Sequence, residues 1–80
     1  MGWNCYVLTH RFSSGAYSLS IFWSENNAHE AMIADMEATV ARLQQEGYTV
    51  KSSYGLYRAS VDCDDCNIHY KWDIKENTIR

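Results

Sequence analysis

The strongest constraint on this chain is an amphipathic helix over residues 28–46, marked at both ends and set between segments that alternate with period two. Ile33, Met36, Val40 and Leu43 recur at helical spacing with Met32 beside them, which gives one apolar stripe. Asn27 stands at an N-cap position, and Glu30 three residues later completes a capping-box pattern. Gly47 suits the left-handed conformation that stops a helix. At 1.5 Å per residue the helix is about 28 Å long, enough to cover a strand of eight or nine residues.

Residues 3–12 read as a first strand, apolar on both faces, and Ser13-Ser14-Gly15 as a hairpin turn. Residues 16–23 alternate: Tyr17, Leu19, Ile21 and Trp23 lie on one face, Ser18 and Ser20 on the other. After Gly47, residues 48–53 predict a third strand that continues, through a bulge or a bend at Gly55, to Val61. Cys63-Asp64-Asp65-Cys66 makes the next turn, and Ile68, Tyr70, Trp72 and Ile74 form the apolar face of a final strand. The polar tail, residues 76–80, is expected to fray.

These elements predict a single α+β domain over residues 1–80, a two-layer sandwich of ββαββ order. About four antiparallel strands carry one helix, which rests on the face bearing Leu19, Ile21, Tyr70 and Trp72. The second face has no cover from within the chain. Three Trp, six Tyr and two Phe exceed the evident needs of one small core, so some rings are expected at a surface.

A net charge of −3 works against binding to duplex nucleic acid, which depends on neutralising phosphates with Lys and Arg. No apolar run approaches the roughly 18 residues of a membrane span. The first residues show neither the basic region nor the apolar core of a secretory signal, so a cytoplasmic location with reduced thiols is expected.

Cys63, Cys66 and His69 have the spacing of part of a zinc site, but the sequence supplies no second half to complete a tetrahedron. Metal is therefore expected to be dispensable, and the cysteines to be turn-flanking thiols. Neither a nucleophile elbow nor a phosphate-binding loop is present, and the three histidines stand apart, so the chain is expected to be no enzyme and to need no cofactor.

Binding is the remaining role. Tyr54, Tyr57 and Tyr70, supported by Arg58, are the predicted anchors, because Tyr and Arg are enriched where proteins meet. In size, acidity and lack of a catalytic motif the chain resembles small proteins of phages and mobile elements, some of which inhibit host defence complexes such as CRISPR effectors. That likeness implies an inhibitor or adaptor with a protein partner, such as a host defence complex. The expected working surface is an aromatic sheet face or edge rimmed by acidic residues, and the same surface could make a homodimer. The alternative is a small-ligand, nucleotide or single-stranded nucleic-acid binder that stacks its ligand on Tyr or Trp. A zinc-stabilised domain is a third.

Overall fold

The first hairpin sets the frame. In the computed structural model, which describes residues 3–12, 14–64 and 67–79, β1 (Trp3–Arg11) turns back on β2 (Tyr17–Phe22). The Phe12 N–H donates to the Ala16 carbonyl at 2.8 Å, and Gly15 takes φ +93°, a conformation glycine adopts without steric cost. The register follows from that closing pair: His10 faces Ser18, Leu8 faces Ser20 and Tyr6 faces Phe22.

Helix α1 (Glu25–Gln45) begins three residues before the sequence signal. Ser24, not Asn27, is the N-cap: its backbone is extended and its Oγ accepts from the Asn27 N–H at 3.3 Å. The other end is as expected. Gly47 at φ +92° carries a Schellman motif, with the Tyr48 N–H donating to Leu43 O and the Gly47 N–H to Gln44 O. The helix buries Ala28, Met32, Met36, Thr39 and Leu43, while Ile33 and Val40 flank that stripe half-buried. Thr39 settles its hydroxyl by donating to the Asp35 carbonyl.

Beyond the helix there are three strands where two were predicted. Gly55 does not bend one long strand; residues 55–57 reverse the chain between β3 (Lys51–Tyr54) and β4 (Arg58–Cys63). The Gly55 N–H donates to Arg58 O at 2.7 Å across this turn. The order is therefore ββαβββ, and the antiparallel sheet has five strands arranged β2-β1-β5-β4-β3.

The last strand, β5 (Ile68–Ile79), is longer than its apolar pattern. The polar tail pairs with the start of β1, Glu76 opposite Tyr6 and Thr78 opposite Asn4, so residues 76–79 are ladder and not a frayed end. Backbone pairing needs no apolar side chain, and Thr78 Oγ1 adds a bond to Asn4 Oδ1.

The helix lies over the middle of the sheet. Leu8, Ala59, Val61, Cys63, Trp72 and Ile74 form the buried floor beneath Ala28, Met32, Met36 and Leu43. Tyr70 and Trp72 thus meet the helix side as predicted, but Leu19 and Ile21 do not. They are exposed on the opposite face, with Tyr17. Once β1 turns its even-numbered residues toward the helix, the register obliges β2 to do the same, with Ser18, Ser20 and Phe22. A helix about 10–12 Å across also cannot span five strands, whose four intervals measure roughly 19 Å.

Candidate functional site

The sheet face away from the helix can be read row by row from the strand pairings. One row crosses all five strands: Tyr17, Arg11, Lys71, Ser60 and Ser53. The next holds Leu19, Thr9, Asp73 and Arg58, and the one after it Ile21, Val7 and Lys75. On the other side of the long row stand His69, Asp62 and Lys51.

This face is divided. Its β2 margin is an apolar stripe in which Tyr17, Leu19, Ile21 and Trp23 are each 58–66% exposed. The remainder is basic, with Arg11, Lys51, Arg58, Lys71 and Lys75 set against Asp62 and Asp73. The carboxylates Glu25, Glu30, Asp35, Glu37 and Glu46 belong to the helix and its C-cap. An acidic rim around the sheet face is thus replaced by a basic field, and the net charge of −3 conceals this segregation.

The edge of β2 adds backbone chemistry to the stripe. Counting by twos from the Phe12–Ala16 hydrogen bond, Ser18, Ser20 and Phe22 direct their N–H and C=O groups toward β1. Tyr17, Leu19 and Ile21 direct theirs outward. The opposite edge, β3, has only four residues and carries Lys51. Short length and lysine are ordinary protections of a free edge, and β2 has no charge and no proline.

Of the four predicted anchors, Tyr54 and Arg58 line one cleft, and Tyr57 and Tyr70 lie apart from it. Tyr54 ends β3 and is exposed, facing a shallow depression lined by His29, Glu30, Ile33, Ala34 and Glu37 of the helix. Tyr57, in the following turn, donates its hydroxyl to Glu25 Oε1 at 2.8 Å. That bond, with burial and the neighbouring carboxylates behind it, raises the phenol pKa. Arg58 extends from the opposite face, its side chain 88% exposed and 3.7 Å from Asp73. Tyr70 is half-buried near the other end of the helix, edge-on to His10 and Phe12, and its hydroxyl accepts from Arg42 at 3.2 Å. Tyr70 is therefore largely committed to internal packing.

The partial zinc motif is divided between faces. Cys63 is buried in the core on the helix side, whereas His69 is exposed on the open face with Nδ1 2.8 Å from Asp62 Oδ1. Adjacent strand residues point to opposite faces, and Cys63 is the neighbour of Asp62, which pairs with His69. Cys66 lies outside the described residues. Among the described residues no three His, Cys, Asp or Glu side chains converge on a point suited to a metal ion.

His10 is internal as well. It stacks on Trp72 at 4.4 Å and 20° and lies beside Phe12, with Nδ1 3.5 Å from Asp35 Oδ2. Its Nε2 is buried with no hydrogen-bond partner among the described residues, and burial lowers its pKa despite the carboxylate.

The β2 stripe had a signal in the sequence, the strict alternation of residues 17–23, which an expected burial under the helix concealed. The basic row had none, because it is assembled from four strands. No protein-family model, curated protein or solved structure matches this chain.

Proposed function

We propose that this chain is a non-enzymatic protein-binding module, an inhibitor or adaptor that captures an extended segment of a partner protein along β2. The observation that supports this reading is the unprotected edge: outward backbone groups at Tyr17, Leu19 and Ile21, with an exposed apolar stripe on the same three residues and Trp23. A partner segment adds as a sixth strand. Main-chain hydrogen bonds supply affinity, and alternate side chains seated on the stripe supply selectivity. The favoured partner strand is apolar at every second residue, matching the stripe. Occupying such a strand blocks whatever else would pair with it, which is how a small chain inhibits without chemistry.

The test combines affinity capture from the native source with hydrogen exchange on the isolated complex. Parent protein is expected to retain a partner that protects the amides of Tyr17, Leu19 and Ile21. Leu19→Lys with Ile21→Lys, which places charge on an already exposed edge, should lose that partner and keep the fold. Equal capture by parent and double variant would sink the reading. Light scattering on the purified chain identifies the case in which the added strand is β2 of a second copy.

A further inference from the structure

We infer that the basic half of the open face is a second site, a cleft that binds the phosphate of a small phosphate monoester. It is separate from the β2 edge and does not depend on it. The cleft is about 510 Å³, and Arg11, Ser53, Arg58, Ser60, Lys71 and Asp73 supply its polar lining.

The sheet carries a conflict at this point. Arg11 and Lys71 are directly opposed on β1 and β5. Like charges in such a cross-strand pair destabilise the sheet. Among the described residues neither has a carboxylate within ion-pair distance, since Asp73 in the next row is taken by Arg58 at 3.7 Å and Asp62 by His69. An anion held between Arg11 and Lys71 removes the conflict.

Hydroxyl donors lie beside the two cations. Lys71 faces Ser60, and Ser60 faces Ser53, whose hydroxyls are 3.0 Å apart. Either can turn its hydrogen outward to an acceptor while the other closes the pair. Guanidinium, ammonium and hydroxyl donors along one line match a tetrahedral oxyanion, and arginine can hold two of its oxygens at once. Three cations against one carboxylate favour a dianion, the state of a phosphate monoester at neutral pH.

The cleft also has the size of a small-molecule site. The volume falls within the roughly 300–1,000 Å³ of small-molecule sites and far exceeds one phosphate group. The organic part of the ester therefore has room above Ser53 and Ser60, and a mononucleotide is of suitable size. A phosphodiester strand offers related chemistry but one charge per phosphate, so the two sources separate by experiment.

The test is calorimetric titration and thermal unfolding of the full chain with inorganic phosphate, adenosine monophosphate and a ten-residue oligothymidylate, against chloride of equal ionic strength. Adenosine monophosphate is expected to bind and to raise the melting temperature above the chloride control. Arg11→Gln with Lys71→Gln should weaken that binding at least tenfold. Unliganded, this double variant should melt no lower than the parent, because the repulsion is gone, so lost binding would not reflect lost fold. Lys75→Gln, on the same face but outside the cleft, should change binding less than twofold.

No stabilisation beyond chloride would overturn the site. Equal weakening by Lys75→Gln would also overturn it, by reducing the cleft to a diffuse positive surface. Tighter binding of the oligonucleotide than of the mononucleotide would overturn the small-ligand assignment.

Discussion

The indole Nε1–H of Trp72 donates to Asp35 Oδ2 at 3.3 Å, joining the largest fully buried side chain of the sheet to the middle of the helix. The same carboxylate oxygen stands 3.5 Å from His10 Nδ1, and the imidazole stacks on the indole. A carboxylate half in water thus fixes the crossing point of helix and sheet and satisfies a donor that burial would otherwise leave unpaired.

This arrangement makes stability depend on pH. Burial holds the folded-state pKa of His10 below the ordinary histidine value of 6.5, so the unfolded chain takes up this proton first. Where the unfolded state binds more protons, stability rises with pH. The contribution is whole above pH 6.5 and is lost as pH falls from there through the depressed folded value. His10→Phe keeps a ring on Trp72 and removes the titration. Denaturation midpoints measured from pH 7.5 to 5 should decline less steeply in this variant; parallel declines would acquit His10.

Leu43, 2% exposed, lies on the buried stripe of the helix. Leu43→Ala should cost about 2–5 kcal/mol from lost transfer energy and the cavity left behind. Leu19, exposed on β2, should tolerate alanine within about 0.5 kcal/mol. Urea denaturation of the two variants provides the contrast, and an unchanged midpoint for Leu43→Ala would remove that residue from the core.

The two candidate caps separate in the same way. Ser24→Ala removes the oxygen that accepts from the Asn27 N–H and should cost about 1 kcal/mol. Asn27→Ala leaves that acceptor in place and introduces a better helix former, so its midpoint should hold or rise. The reverse ranking would move the helix start back to residue 28.

At the other end, Gly47→Ala meets open space but must adopt φ +92°. Its cost is backbone strain alone, roughly 1–2 kcal/mol. Thermal unfolding should show the loss, whereas Gly55→Ala, which requires no positive φ, should be milder.

The end of β5 yields a fourth contrast. Its pairing with residues 3–6 of β1 predicts slow amide exchange within residues 76–78, and lower stability for a chain truncated after Lys75. Exchange as fast as in an unfolded peptide would restore the frayed tail.

Local physics was legible. The helix, its glycine stop and the alternation of the first hairpin and of β5 follow from spacing and capping chemistry, which need only near neighbours. The reversal at Gly55 was not legible, because a glycine within a strand pattern suits a bulge, a bend and a reversal alike. Tertiary pairing decides it: β3 runs back along β4, with Tyr54 opposite Ala59 and Lys51 opposite Asp62.

What the chain alone determined was its set of periodic elements and most of their ends, because those depend on contacts a few residues apart. Tertiary structure decided which face of each strand is inside. Alternation defines two faces but does not rank them, and ranking by apolarity put Leu19 and Ile21 in the core. The closing pair of the first hairpin ties the parity of β2 to that of β1, and β1 must bury Leu8 and His10 beside Ile74 and Trp72. Tertiary structure also placed Arg11 opposite Lys71, and both in line with Ser60 and Ser53, a row in which Arg11 stands more than forty residues from the other three in sequence. Strand order creates such a row, and no local pattern encodes it.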